Sequence, residues 1–135
     1  VFEPLANVQS RELLDRWLQA DGLEARRLEL ELRNRGFGQL SADVVRPLLT
    51  EDATNRSRMV YELVGLSSID ARAWLAMLAD DPSADVRYAA LTVMATSSDR
   101  ALLDKAWDVA LHDRDPRVAS LAEQIRTRRS GGAFR

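Results

Sequence analysis

An aspartate followed six residues later by an arginine recurs three times along this chain of 135 residues, at nearly even intervals. The pairs are Asp21/Arg27, Asp52/Arg58 and Asp81/Arg87, and a fourth aspartate, Asp113, has Ala119 in place of the arginine. Successive aspartates are 31, 29 and 32 residues apart. A period of about 30 residues is typical of helical repeat arrays, whose units cannot bury their apolar faces alone. The spacing therefore predicts a repeat array with a variant last unit.

Apolar residues stand at helical intervals on both sides of each aspartate. Seven, four and three residues before it, the first three units hold Leu14, Trp17 and Leu18; Val45, Leu48 and Leu49; and Trp74, Met77 and Leu78. Five, nine and twelve residues after it, the last two units hold Val86, Ala90 and Val93; and Val118, Ala122 and Ile125. The first two units hold Arg26, Leu30 and Arg33; and Ser57, Tyr61 and Val64 at these later positions. Because such intervals define helix faces, each unit is predicted to be two helices joined at the aspartate.

The predicted fold is an all-α solenoid without strands. We expect eight helices, at about 10–20, 22–35, 41–49, 53–65, 68–79, 83–95, 99–111 and 115–128. They divide residues 10–129 into four units, at about 10–36, 41–65, 68–96 and 99–128. Residues 1–9 are predicted to be a linker, and the glycine-containing residues 130–135 a flexible tail. Gly36 suits a left-handed helix cap, and Pro47 should kink the third helix.

The composition is typical of a folded protein. It bears on function only by excluding some kinds of site and partner. The net charge of −2 gives no global argument for binding nucleic acid or an anionic membrane. The absence of cysteine excludes disulfides and thiolate metal sites. No apolar run approaches the roughly 18 residues that a membrane-spanning helix needs. The chain begins with Val1, and we expect it to be a piece of a longer protein.

The segments Asp81–Ala90 and Asp113–Ala119 resemble HEAT-type repeats, in the short bacterial form of about 30 residues named after phycobilisome lyase. The resemblance covers residues 10–128. It implies a right-handed superhelix of about four helix pairs, with first helices on the convex side and second helices lining the concave side. It also implies protein binding or scaffolding as the activity. Some relatives bind DNA or process modified bases, and others handle tetrapyrrole chromophores.

The recurring Asp–Arg pairs admit a catalytic and a structural interpretation, and we favour the structural one. A catalytic site is usually unique, whereas these pairs recur from unit to unit. Each aspartate is expected to accept N–H groups at the start of its second helix. Each arginine is expected to reach the turn of the neighbouring unit through charge-assisted hydrogen bonds. The predicted structural ladder comprises Asp21, Arg27, Asp52, Arg58, Asp81, Arg87 and Asp113.

Other residues that could carry chemistry are also better explained by structure. Trp17, Trp74 and Trp107 lie in first helices on the side that should meet the second helices, so we expect core packing. The single histidine, His112, lacks the spaced partners of a metal site. There is no Gly-x-Ser-x-Gly elbow and no glycine-rich phosphate loop. The sequence therefore predicts no catalysis, no metal and no cofactor.

The best candidate for function is the predicted concave face. Its central stripe is expected to be Met59, Glu62, Tyr88 and Leu91, continued towards the ends by Leu28, Glu31, Ser120 and Glu123. Such a stripe suits an extended protein or peptide partner; alternatively, Met59 and Tyr88 merely pack between units. Basic residues cluster at Arg26, Arg27, Arg33 and Arg35 and at Arg126, Arg128 and Arg129. Nucleic-acid binding is the alternative function, and it requires Arg26, Arg33, Arg56 and Arg117 to share one groove.

Overall fold

The structure, a computed structural model, describes residues 4–38, 40–66 and 69–133, and these residues form helices without any strand. The prediction of an all-α fold is confirmed. The described residues contain nine helices: α1 (Ser10–Gln19), α2 (Gly22–Asn34), α3 (Ala42–Thr50), α4 (Ala53–Val64), α5 (Arg72–Leu78), α6 (Ala84–Met94), α7 (Arg100–His112), α8 (Pro116–Ala119) and α9 (Ala122–Ala133).

The largest departure from the predicted helices lies at the C-terminal end of the chain. The predicted eighth helix is divided in two, because the Ser120 hydroxyl donates to the Arg117 carbonyl and competes with the helix ladder. The second part, α9, continues to Ala133, which corrects the prediction of a flexible tail for residues 130–133. Residues 134–135 of that tail, and residue 68 of the predicted fifth helix, lie outside the described residues.

The helices pack as consecutive pairs, and the pairs contact one another in chain order. Within pairs, α1 packs on α2, α3 on α4, α5 on α6, and α7 on both α8 and α9. Between pairs, α1 meets α3 and α5 meets α7, while α4, α6 and α8 form a second row. The contact of α4 with α6 is the most extensive in the molecule, whereas α3 and α5 scarcely touch among the described residues. The central helix α6 is therefore surrounded by α4, α5, α7 and α8.

The buried face of the second helices is not the one that the repeat spacing predicted for the first half of the chain. In α2 the fully buried residues are Leu28 and Leu32, and in α4 Val60 is fully buried and Leu63 nearly so. These lie seven or eight and eleven residues after the turn aspartate, rather than nine and twelve. In α9, Ile125 keeps the predicted position. The first-half helices are consequently rotated so that Leu30, Tyr61 and Val64 face solvent.

The N-terminal segment predicted to be a linker is held against the end of α2. The Arg35 guanidinium donates to the carbonyls of Val8 (2.6 Å) and Leu5 (2.7 Å). It also donates to the Ser10 hydroxyl (3.1 Å) and to the Glu31 carboxylate (2.9 Å). The Leu5 side chain is buried in the core. Residues 4–9 are therefore part of the folded domain, and Arg35 attaches them to it.

A glycine cap at the end of α2 directs an aromatic side chain into the core. Gly36 has φ = +101°, and its N–H donates to the Arg33 carbonyl while the Phe37 N–H donates to the Leu32 carbonyl. This bond pair is the Schellman motif, as the left-handed cap predicted. Phe37 is then placed 4.9 Å from Trp74, edge to face. The cap thus connects the first helix pair directly to α5 of the third.

Candidate partner-binding surface

The clearest ionic brace between neighbouring helix pairs joins Arg87 of α6 to the turn after α7. Its Nε donates to Asp113 at 2.8 Å and its Nη2 donates to the other carboxylate oxygen at 3.1 Å. A further N–H donates to the carbonyl of Asp81, in the turn before α6 (3.0 Å). The hydrogen bonds from Arg87 lower the pKa of Asp113, and those of Asp113 raise the pKa of Arg87. The charged forms of both residues are thus favoured, and the pair joins the turn before α6 to the turn after α7.

The next brace back along the chain is centred on Asp81, which is buried. One carboxylate oxygen accepts hydrogen bonds from Arg56 of α4 and from Arg11 of α1 (2.9 Å). The other oxygen accepts the N–H of Ser83 at 2.9 Å. Arg56 also donates to the carbonyl of Glu51 (2.9 Å), as Arg87 does to the carbonyl of Asp81. One carboxylate therefore holds three helix pairs together.

The arginine of this brace is not the one that the six-residue spacing predicted. Arg58 is 68% exposed and pairs with Glu62 on its own helix (3.6 Å), so its place in the ladder is corrected to Arg56. The reason is the rotation of α4, which turns position 56 inward and position 58 outward. Arg27 forms its described ion pair with Glu24, also within its helix (3.6 Å).

The turn aspartates act on their own second helices in different ways. Asp52 accepts the N–H of Asn55 (2.8 Å), which is a side-chain cap of α4. Asp113 accepts the N–H of Asp115 (2.9 Å). Asp21 stands at the N-cap of α2 without a side-chain cap bond. The aspartates therefore occupy corresponding turns of the fold, but each makes different contacts there.

The apolar residues of the predicted concave stripe are buried or half-buried. Leu91 is fully buried, which corrects its assignment to a partner-binding face. Met59 and Tyr88 are half-buried and pack against the core, whereas Glu62 is exposed. At the ends of the stripe, Leu28 is also fully buried. Because α4 packs closely on α6, the apolar part of the stripe is mostly covered, whereas Glu62, Ser120 and Glu123 remain exposed.

The three tryptophans lie in different surroundings and form no common aromatic site. Trp74 is buried against Phe37, a residue that the repeat pattern did not single out. Trp17 is half-buried and packs on the core. Trp107 is also half-buried, and the Arg129 guanidinium lies 5.3 Å from the centre of its ring. Arg129 donates as well to Asp104 at 3.1 Å, which attaches α9 to α7.

A cleft of about 370 Å³ lies between the start of α1, the end of α2 and the outer side of α5. Its apolar wall consists of Phe37, Ala73, Ala76 and Met77. Its charged groups are already matched: Arg11 binds Asp81, Lys105 binds Asp80 at 2.6 Å, and Arg35 binds Glu31. This cleft therefore presents paired charges around a small apolar wall, an arrangement that suits packing better than proton transfer.

The four arginines that would define a nucleic-acid groove differ in their surroundings. Arg56 is buried on Asp81. Arg117 binds Asp85 (2.8 Å) and Asp115 (3.3 Å), and Arg33 lies 3.4 Å from Glu29. Of the four, Arg26 alone has neither a hydrogen bond nor an ion pair with any residue that the structure describes. Most of the positive charge is therefore neutralised within the chain.

The histidine also has a local role. The His112 ring Nδ1 lies 2.8 Å from the Asp108 carbonyl, one helical turn earlier. Within residues 4–38, 40–66 and 69–133, no group of three or more histidine, aspartate or glutamate side chains is arranged to hold a metal ion.

The most open apolar surface belongs to α2. Leu23 is 88% exposed and Leu30 is 56% exposed, and they lie seven residues apart on the same side of the helix. Arg26 and Arg33 occupy the same stripe, at intervals of three and ten residues from Leu23. The core side of the helix, with Leu28 and Leu32, is opposite. Leu23, Arg26, Leu30 and Arg33 are called the α2 stripe below.

Comparison of the chain with protein-family models, curated proteins and solved structures gave no match. Among the helices of the described residues, none is both long and apolar enough to cross a membrane. The assignment of function therefore depends on the geometry of the residues themselves.

Proposed function

We propose that this chain is a non-catalytic module of four HEAT-like helix pairs, arranged as a right-handed solenoid, that binds a protein partner. The observation that carries the proposal is the repeated brace. Arg56–Asp81 and Arg87–Asp113 each join a second helix to the next turn, and the arginines are 31 residues apart. Two of the recurring aspartates, Asp81 and Asp113, are thus used to hold the framework. We expect the exposed residues, which vary between units, to determine which partner binds, as in other repeat proteins.

The order of helix contacts supports the array. First helices meet in α1 with α3 and in α5 with α7, second helices meet in α4 with α6 and in α6 with α8, and each pair is closed by its own internal contact. One feature departs from a strictly nearest-neighbour array. Arg11 and Phe37 of the first pair reach Asp81 and Trp74 of the third. These contacts make the framework more compact, which suits a rigid platform for a partner.

The absence of catalysis in this proposal is supported by how the charged groups are used. Asp81 is the buried carboxylate of the described chain, and its oxygens are occupied by Arg56, Arg11 and the Ser83 N–H. A general base needs a free lone pair directed at a substrate proton. Asp81 instead resembles a structural carboxylate that joins elements distant in sequence.

Affinity capture followed by reconstitution tests the proposal. The purified chain is immobilised and exposed to extract of its source cells, with and without nuclease treatment. We expect capture of a protein that survives nuclease and binds the purified chain again with a 1:1 titration by calorimetry. Capture that disappears with nuclease, or a captured protein that does not bind when purified, would overturn the proposal. In the first case a salt-dependent shift of labelled DNA or RNA would establish the nucleic-acid alternative.

A further inference from the structure

The α2 stripe combines exposed leucines with positive charge on one side of a helix. Leu23, Arg26, Leu30 and Arg33 follow intervals of three, four and three residues, so their side chains form a single row. The row extends over the eleven residues from Leu23 to Arg33, or about 15 Å of helix. Leu23 is the most exposed of the large apolar side chains described in the structure. The same positions on α4 include Tyr61 and Val64, which are also exposed.

The acidic residues of α2 lie to the sides of this row and are each paired. Glu24 lies 3.6 Å from Arg27, Glu29 lies 3.4 Å from Arg33, and Glu31 lies 2.9 Å from Arg35. The Arg26 guanidinium, between the two leucines, makes no ion pair or hydrogen bond with a described residue. The row therefore offers apolar contact together with the charge of Arg26, which no described carboxylate offsets, whereas Arg33 is paired with Glu29.

Among the residues that the structure describes, no element covers this row. The main contact of α2 is with α1, through the opposite side that carries Leu28 and Leu32. An exposed apolar face on a helix invites association with another surface. Leucines on the outward side of α2 thus point to a binding partner.

We propose that the α2 stripe docks an amphipathic helix of a protein partner, with apolar residues on one side and glutamate or aspartate beside them. The inference rests on the proposed function and names the surface and the chemistry of its partner. Leu23 and Leu30 are two turns apart, which matches apolar residues at positions i, i+3 or i+4, and i+7 of a bound helix. Acidic residues between them would meet Arg26, which lies between the two leucines.

The leucines distinguish this partner from the other anions that arginines bind. A phosphate backbone gives Leu23 and Leu30 no apolar contact, and the net charge of −2 opposes association with a polyanion. An anionic membrane surface would require a broader apolar face than two leucines provide. An acidic amphipathic helix satisfies both components of the row at once.

Fluorescence anisotropy with a synthetic helix tests the inference. The probe is a labelled peptide of about 18 residues with leucines along one side and glutamates beside them, a length that supports helix formation. Two matched peptides replace every glutamate by lysine or scramble the order. We expect the acidic peptide to bind at least about tenfold more tightly than either control. Arg26→Glu and Leu30→Gln should each weaken its binding by about tenfold or more.

Two exposed positions elsewhere provide controls of the same chemical type. Arg58→Glu makes the same charge change on α4, and Leu111→Gln removes an exposed leucine from α7. Both should keep the affinity of the parent chain, and circular dichroism should show the same helix content for all variants. Equal binding of the three peptides, or unchanged affinity in Arg26→Glu and Leu30→Gln, would overturn the inference. Binding of duplex DNA or phosphatidylserine vesicles through these two residues, in place of the acidic peptide, would also overturn it.

The protein captured from extract separates this inference from the proposed function. If that protein still binds Arg26→Glu and Leu30→Gln as tightly as the parent, the α2 stripe is not the docking surface, while the chain remains a protein-binding module. If no protein is captured at all, the proposed function fails, whatever the peptides do. Loss of the captured protein in the α2 variants, with retention in the Arg58→Glu and Leu111→Gln controls, supports both.

Discussion

Arg56 and Asp81 form an ion pair that is almost completely withdrawn from solvent, although 25 residues separate them in the chain. The side chain of Asp81 is 0% exposed and that of Arg56 is 10% exposed. Arg11 binds the same carboxylate oxygen from α1. A buried charge is costly unless it is paired and hydrogen-bonded, so this cluster stabilises the fold only while its members are present together.

We therefore expect Arg56→Gln and Arg58→Gln to differ sharply, although the two residues are neighbours on α4. Arg56→Gln leaves Asp81 with one arginine fewer inside the protein, and it should cost about 3–5 kcal/mol of unfolding free energy. Arg58→Gln removes an exposed pair and should change that energy by less than about 0.5 kcal/mol. Urea denaturation monitored by circular dichroism measures both. Equal losses would contradict the assignment of Arg56, rather than Arg58, to this brace.

The bidentate pair of Arg87 with Asp113 should be energetically coupled. A double-mutant cycle with Arg87→Gln and Asp113→Asn is expected to give a coupling of about 1–3 kcal/mol, because both partners are largely shielded from water. The matched cycle uses Arg117 and Asp85, whose 2.8 Å ion pair is exposed, and it should give a much smaller coupling. Additive effects of Arg87→Gln and Asp113→Asn would contradict the proposed brace.

The same pair predicts how stability depends on pH. The pKa of Asp113 is lowered from 3.8 by the hydrogen bonds of Arg87, so the folded state favours the carboxylate. This stabilisation is fully present above the unfolded pKa and is lost as the pH falls from about 4 through the folded pKa. The stability difference between the parent chain and Asp113→Asn should therefore shrink below pH 4. Urea unfolding at intervals from pH 7 to pH 3 measures it, and a constant difference would contradict the prediction.

Phe37 and Trp74 should stabilise the contact between the first and third helix pairs. Each is buried, so Phe37→Ala and Trp74→Ala should each cost about 3–5 kcal/mol. Their edge-to-face contact should add a coupling of about 0.5–1.5 kcal/mol in the double mutant. Leu23→Ala, at the exposed side of α2, serves as the control and should change stability by less than about 0.5 kcal/mol. A loss below about 1 kcal/mol for Trp74→Ala would refute its placement in the core.

Gly36→Ala and Gly38→Ala should differ even though the two glycines are almost adjacent. Gly36 has φ = +101° and a side-chain Cβ would lie 3.4 Å from that of Ala73, so an alanine there should cost about 1–2 kcal/mol. Gly38 has neither a positive φ nor a neighbour within 4 Å of the added Cβ. Its replacement should be neutral or stabilising by up to about 1 kcal/mol. Thermal unfolding of the two variants in parallel distinguishes these outcomes.

Much of the local structure could be predicted from short-range chemistry. The left-handed cap at Gly36 follows from glycine's freedom at positive φ, and the helix positions follow from apolar intervals. The C-terminal end of the chain was not predicted correctly from such local signals. Residues 130–133 resemble a linker in composition, yet they extend α9, whose preceding turn is attached by Arg128 to the Ser97 carbonyl. The composition of a short segment does not reveal a contact with a residue so distant in the sequence.

For the candidate binding site, even less could be predicted from residue spacing alone. The repeat spacing indicated Arg58 and Leu91 as ladder and surface residues, but α4 is rotated so that Arg56 faces inward, and Leu91 is buried. A rotation of one residue position moves a side chain by about 100° around a helix. Spacing along the chain is unaffected by such a rotation, so it cannot distinguish a brace from a solvent-exposed charge. The α2 stripe could not be predicted from spacing either, because it is defined by lying opposite the buried side of that helix.

Periodicity and turn chemistry thus established the all-helical class, the turn positions and the recurring aspartates, because these depend on interactions within about one helical turn. Which arginine reaches which aspartate, and which leucines remain outside, depended on the packing of helices distant in the chain. That packing is governed by the total apolar area that the helices bury together. It selected the rotation of α2 and α4, placed Arg56 on Asp81, and left Leu23, Arg26 and Leu30 exposed to solvent.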